Sequence, residues 1–251
     1  MRIVGHGFLA RHLAPLREAY DGVVLLAAGV SWASGTSEAE FAREADLVRR
    51  ELRACRADGS RLVFFSTAST GMYGAEGCHG REDEPVVPCT PYGWHKRGLE
   101  EEIRAFGADH LILRMGHVMG PGQPPHQLLP SLIRQVRAGE VTIHRDAARD
   151  LIDIDDVVAL VDRLLALGAS RDVVNIASGV PVPIEAVVER IERRLGTTAA
   201  RRYVDGHRGN HRVSIARLRG LVGPEYTPFD AHYHRRVLDK YVPVPEPSLS
   251  A

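Results

Sequence analysis

The sequence predicts an α/β fold built on a doubly wound parallel sheet. Three observations carry that expectation. Short strand-like segments alternate with segments of helical period from residue 2 to residue 177. The strand segments are near-continuous apolar runs, such as "VVLLAAG" (23–29), as expected of strands buried on both faces. A glycine turn, "VGHGFLA" (4–10), lies where the first strand gives way to the first helix.

The elements follow in order. "MRIVG" (1–5) is a short apolar strand ending at glycine, and "FLARHLAPLREAY" (8–20) has helical period. "DGVVLLAAG" (21–29) is a buried strand. "SEAEFAREADLVRRELRACRADG" (37–59) is a long amphipathic helix closed by Gly59. "RLVFFST" (61–67) is another strand, and residues 74–91 form a polar loop rich in Gly and Pro. "YGWHKRGLEEEIRAFG" (92–107) is a helix stopped by Gly107, followed by the strand "HLILRMG" (110–116). After "GPGQPP" (120–125) come a helix over 126–139, a short strand over 141–145, and a strand running into a helix over 150–168. Asp155 or Asp156 is the expected cap of that helix. A strand over 172–178 and a helix over 183–196 complete the pattern, and the tail ends in a Pro-rich stretch. Residues 1–120 read as one domain and 121–251 as mainly a second, with the strands near 150–154 and 172–177 as candidates to return to the core sheet. The second part is placed over the carboxyl edge of the sheet, where open α/β folds bind ligands.

Composition narrows the function. The chain has 251 residues, is 44% hydrophobic, and balances 32 basic against 32 acidic residues, so no global field draws in nucleic acid or an anionic membrane. No apolar run approaches ~20 residues, as a membrane span requires. Cys55, Cys78 and Cys89 lack metal-ligand spacing and are odd in number, which fits thiols in a reducing compartment. The first residues show no secretory h-region, so a cytoplasmic location is expected. His207/His211 and His232/His234 have spacings a metal could use, but no Cys or carboxylate accompanies them at matching spacing. The acidic "DIDD" (153–156) reads as a strand end and helix cap, and the basic run 201–212 as a solvated loop.

Two features carry chemistry. Gly5, Gly7 and Ala10 make a G-x-G-x-x-A turn, in which the first glycine allows a tight turn, the second lets backbone approach a pyrophosphate, and Ala10 permits close packing. The acidic ribose ligand expected at the end of a second strand has no counterpart, because no strand pair separates the first helix from "VVLLAAG". Lys96 is one of only two lysines, the other being Lys240, in a chain that otherwise uses arginine. Tyr92, one helical turn before it, shares its face. A phenol beside an ammonium ionises more readily, and a slender Lys can reach ribose hydroxyls where a planar Arg fork does not fit. A strand-end hydroxyl from "FFSTASTGMYG" (64–74) would hold the developing oxyanion, and Thr67 and Ser69 are both candidates.

Together these segments resemble the extended short-chain dehydrogenase/reductase family, in its nucleotide-sugar branch of epimerases, dehydratases and ketoreductases. "GHGFLA" (5–10) resembles its glycine turn, "VVLLAAG" its cofactor-lining strand, and "EDEPVVPCTPYGWHK" (82–96) the approach to its YxxxK pair. "LRMGHVMGPGQ" (113–123), "RDLIDIDDV" (149–157) and "NIASG" (175–179) match later motifs in order. The resemblance implies a Rossmann-like sheet with a smaller substrate-binding α/β part. It implies catalysis by Tyr92, Lys96 and Thr67 or Ser69. It places NAD or NADP against Gly5, His6, Gly7, Phe8, Leu9, Ala27, Ala28, Gly29, Tyr92, Lys96 and Met115, with His6 leaning slightly to NADPH. It places a nucleotide-linked sugar against Thr70, His117 and Arg149, the last on the diphosphate. It also implies a homodimer through the Tyr92 helix and the long helix before it. The chain departs from the family in three ways: it lacks the strand–helix–strand unit that holds the adenosine half, and it has His117 and Glu44 where Asn is usual. No acid follows Thr67 or Ser69, which disfavours dehydration. A ketoreductase with Tyr92 as proton donor is the leading expectation. The alternatives are an epimerase with bound NAD and a non-catalytic nucleotide-sugar-binding protein.

Overall fold

The computed structural model describes residues 1–31, 36–73, 77–205 and 212–244. In chain order these form β1 (Arg2–Val4), α1 (Phe8–His12), β2 (Val23–Leu26), α2 (Glu38–Asp58), β3 (Arg61–Thr67), α3 (Thr70–Tyr73), α4 (Pro91–Phe106), β4 (His110–Met115) and β5 (His117–Met119). There follow α5 (Leu128–Arg137), β6 (Glu140–His144), β7 (Ala148–Asp153), α6 (Ile154–Ala166), β8 (Asp172–Ile176), β9 (Pro181–Pro183), α7 (Ile184–Leu195), β10 (Ala200–Val204), α8 (Ala216–Val222) and α9 (Tyr233–Tyr241).

The core is a parallel sheet of five strands in the order β1-β2-β3-β4-β8. The middles of its strands are apolar runs because both faces are covered. Val24, Leu26, Leu62, Phe64 and Ile112 face α2 and α4, while Val23, Leu25, Val63, Phe65, Leu111 and Leu113 face the larger opposite core. This is the two-residue period of a strand sorting side chains between two layers. β1 closes the sheet at one edge: its residues are exposed or half-buried, whereas all four residues of β2 are buried. β8 pairs with β4 in the core sheet. β7 does not join it, contrary to the expectation for 150–154; it pairs parallel with β5 and antiparallel with β9, because residue 117 onward has already left the core sheet and β7 follows it. β6 and β10 form a separate parallel pair.

Helix ends follow local chemistry. Ser37 and Glu40 form a reciprocal capping box at the start of α2, and Gly59 ends it in the left-handed conformation at φ 75°. Thr90 caps α4, with Pro91 in the first turn, and Gly107 ends it. The cap of α6 is Asp153, whose carboxylate accepts from the Asp155 amide, rather than Asp155 or Asp156. The helix expected over 8–20 stops at His12, because Pro15 cannot continue the backbone ladder and the chain tightens into a single 3-10 turn, Ala14–Leu16. α8, α9 and β10 were not evident in the sequence pattern. α9 is tied to the start of α6 by Lys240, which donates to Asp153 (2.8 Å) and Asp155 (2.7 Å), and by the Tyr241 hydroxyl on Asp153 (2.6 Å).

Candidate active site

The carboxyl ends of β1 to β4 open into a cleft of about 680 Å³, which the segments after residue 116 cover from above. Gly7, Phe8 and Leu9 line it at the start of α1, Ala27, Ala28 and Gly29 after β2, and Thr67 and Ser69 after β3. Tyr92 and Lys96 enter from α4, Met115 from the end of β4, and His117 and Arg149 from the covering part. Gly5 and His6 are not part of the lining. Gly5 sits behind it at φ 120°, where a Cβ would come within 2.6 Å of the Ala27 carbonyl oxygen. His6 is exposed in the turn, and its carbonyl accepts from Arg11 at 3.4 Å. Gly7 differs from Gly5: a Cβ there would meet nothing within 4 Å, so its backbone faces open space. The backbone of Thr70 opens α3, while its side chain lies outside the described residues, as do His207 and His211. Among the described residues no cluster of His, Cys, Asp and Glu could hold a metal.

Lys96 is 3% exposed, an unusual burial for an ammonium. Its charge is met by Glu44 from α2, with Nζ donating to Oε1 at 2.6 Å and to the Phe65 carbonyl at 3.3 Å. That leaves one N–H of the ammonium unspent at the cleft wall. The other Glu44 oxygen meets His95 Nε2 at 2.8 Å. Burial alone would push Lys96 down, but the Glu44 carboxylate, with Tyr92 and Glu100, holds it above the ordinary lysine range. Burial likewise opposes the charge of Glu44, which Lys96 and His95 nevertheless hold below the usual carboxylate range. Lys96 Nζ lies 5.8 Å from the centre of the Tyr92 ring.

The Tyr92 phenol is pushed up rather than down. Burial is the main cause and Glu44 adds to it; Lys96 and the hydrogen bond with Thr67 work against it but do not win. Lys96 does favour the phenolate, as expected, but burial outweighs it and Glu44 opposes it. Of the two candidate hydroxyls, Thr67 is the one that acts on the Tyr92 phenol, and its Oγ1 accepts from the Ser69 amide at 3.0 Å. Glu44 was noted in the sequence only as a substituted position. The available signal was an acid on the buried stripe of α2, in line with Val48, Leu52 and Cys55.

Arg149 is the second charged group in the cleft. Its Nη1 donates to the Ala148 carbonyl at 2.7 Å, no carboxylate among the described residues pairs with it, and burial pushes its pKa down. Several other motif residues serve the core instead. Arg114, 1% exposed, donates to both oxygens of Glu100 (2.9 and 2.6 Å) and to the Tyr73 hydroxyl (2.6 Å). Tyr73 donates onward to Asn175 at 2.9 Å, and Asn175 donates to the Gly80 and Ser214 carbonyls. Asp150 accepts from the Ser178 amide and hydroxyl and from the Gly179 amide, fastening the turn after β8 to β7.

The chain also resembles known proteins. The model of the NAD dependent epimerase/dehydratase family matches residues 9–177. The low-salt glycan biosynthesis protein Agl12 of Haloferax volcanii is 32% identical over 122 residues, 46% of this chain and 39% of that protein. The dTDP-6-deoxy-L-talose 4-dehydrogenase (NAD(P)(+)) of Kitasatospora kifunensis is 30% identical over 197 residues, 72% of this chain and 60% of its own length. The chain thus spans less than two thirds of either curated relative. The structure of RMD from Pseudomonas aeruginosa complexed with NADPH superposes with a TM-score of 0.75 at 22% identity, covering 96% of this chain and 99% of that one, a likeness of fold. With the family's segments matched through both the sheet and the cleft that opens at its edge, this chain belongs to the NAD dependent epimerase/dehydratase family, in the extended short-chain dehydrogenase/reductase branch.

Proposed function

We propose that the chain is a ketoreductase that uses NAD(P)H to reduce a keto group on a nucleotide-linked sugar. The observation that carries this reading is the placement of the Tyr92 side chain, half-buried, in the lining of one cleft together with Thr67 and Lys96. A phenol carries its proton at neutral pH and can give it to a carbonyl oxygen, which suits reduction. The nicotinamide cofactor supplies the hydride. The site residues fit such a group: Lys96 lines the cleft, Gly7 leaves open space beside its backbone, and Ala27, Ala28 and Gly29 line it with little bulk. Tyr92 gives its proton to the carbonyl oxygen, and Thr67 hydrogen-bonds the oxygen as charge develops on it. Lys96 keeps the tyrosinate that remains from being isolated in an apolar wall. Arg149, which has no carboxylate partner among the described residues, is the group we assign to the diphosphate of the substrate.

Dehydration is disfavoured because Thr67 is followed by the fully buried Ala68 and then Ser69, with no acid to take a proton from carbon. The printed activity of the Kitasatospora relative, a 4-dehydrogenase working with NAD(P)(+), belongs to the same redox chemistry. The proposal includes a homodimer through α2 and α4, where Trp94 is 56% exposed, and a reducing cytoplasmic setting, in keeping with three cysteines that form no disulfide. No described helix is long and apolar enough to cross a membrane.

The test is Tyr92→Phe, assayed by cofactor oxidation with 4-keto nucleotide sugars. Turnover is expected to fall at least a hundredfold, in line with the loss of a general acid, while the folded-state circular dichroism is retained. Undiminished turnover removes Tyr92 from the chemistry.

A further inference from the structure

A dinucleotide site on a doubly wound sheet has two halves. The nicotinamide half lies over the strands that follow the first, and the adenosine ribose is gripped by an acidic residue at the end of a strand lying outside the first one. In this chain the first half is built and the second is not. β1 is the last strand of the sheet, and its exposed and half-buried residues show that no strand covers it among the described residues. From α1 the chain passes through one 3-10 turn directly into β2, which pairs on the inner side of β1. The acids of that connection, Glu18 and Asp21, precede β2 and so lie at the amino edge of the parallel sheet, opposite the cleft. β1 runs at its carboxyl end into Gly5, His6 and Gly7, with no acid among them. α1 itself is five residues long, too short to supply a strong dipole for a phosphate. By contrast Lys96, Thr67 and Tyr92 converge within the cleft.

We infer, resting on the reading above, that this chain recognises only the nicotinamide ribose phosphate half of its cofactor. It binds reduced nicotinamide mononucleotide about as tightly as NADH or NADPH, and it does not discriminate between the two dinucleotides. The slight lean to NADPH suggested by His6 gives way, because the cation beside it, Arg11, spends its guanidinium on the His6 and Gly122 carbonyls at 3.4 and 2.9 Å. The specificity of the cofactor site therefore resides in Lys96 and Thr67, while the adenosine moiety projects past the edge of the sheet into solvent.

The experiment is a calorimetric titration of the wild-type chain with reduced nicotinamide mononucleotide, NADH and NADPH at one ionic strength, with ADP-ribose as a competitor. Three dissociation constants within about threefold of each other, and no displacement by ADP-ribose at concentrations that saturate with NADH, are expected. A tenfold or greater advantage of either dinucleotide over the mononucleotide, or of NADPH over NADH, overturns the inference and leaves the proposed reductase standing. Binding of none of the three overturns both, so the two failures are told apart by the same titration.

Discussion

Replacing Glu44 with Gln is expected to move the alkaline limb of the reduction to lower pH. Lys96 Nζ is 5.8 Å from the centre of the Tyr92 ring. At an effective dielectric of about 20, a unit positive charge at that distance favours the phenolate by about 3 kcal/mol. Glu44 Oε1 is 2.6 Å from Nζ, so it can be no farther than about 8 Å from the same ring centre. Its charge therefore disfavours the phenolate by at least about 2 kcal/mol and cancels most of the help from Lys96. Gln keeps an oxygen for the ammonium and nearly the same volume but removes that charge. The apparent pKa of Tyr92 should therefore fall. Since the phenol must carry its proton to donate it, activity would be lost at correspondingly lower pH. The assay is the initial rate of ketone reduction against pH, for wild type and Glu44→Gln at saturating cofactor. An alkaline limb that stays in place, or moves up, refutes the reasoning: it would mean that burial strips the proton from Lys96 once Glu44 is neutral, so that the ammonium no longer acts on Tyr92.

Two further outcomes concern stability. Glu100→Gln leaves the fully buried Arg114 guanidinium without its counter-charge, and unfolding by urea should show a loss of about 3–5 kcal/mol; a loss under 1 kcal/mol contradicts the role given to this pair. Asp150 is pushed up from 3.8 to about 6, chiefly by burial, with the Ser178, Gly179 and Val180 hydrogen bonds opposing. A carboxyl whose folded pKa is raised contributes stability that is complete below its unfolded pKa and is lost as pH rises through its folded one. Unfolding free energy measured from pH 4 to 7 should therefore decline by an amount on the order of 3 kcal/mol from this group, and Asp150→Asn should flatten the decline. Equal slopes in the two proteins would contradict the assignment.

What the sequence revealed depended on distance along the chain. Tyr92 and Lys96 were legible because they lie one turn apart on one helix, and the turn at Gly5 and Gly7 because it is contiguous. Lys96 and Glu44 are 52 residues apart, and nothing local joins them. The pairing depends on α2 and α4 lying side by side on one face of the sheet. The choice between Thr67 and Ser69 could not be made by counting residues, because it turns on which hydroxyl the strand end aims at α4. Family motifs were legible as patterns but not as roles: Tyr73, Arg114 and Asn175 are neighbours in space and form a buried polar network beneath the cleft rather than its wall. Pro15 was visible in the segment 8–20 and should have limited the helix there. The other lysine, Lys240, also answers to distant acids, clasping Asp153 and Asp155 from α9.

The central claim is that hydride passes from a nicotinamide to a sugar ketone while Tyr92 supplies the proton. Transfer of deuterium tests it most directly. The chain is incubated with a 4-keto nucleotide sugar and nicotinamide cofactor deuterated at the transferred position, and the sugar is examined by mass spectrometry and NMR. The account predicts one deuteron on the carbinol carbon per cofactor oxidised, with transfer abolished in Tyr92→Phe. A sugar that gains no deuterium while the cofactor is bound, or one that is epimerised with no net cofactor oxidation, contradicts it.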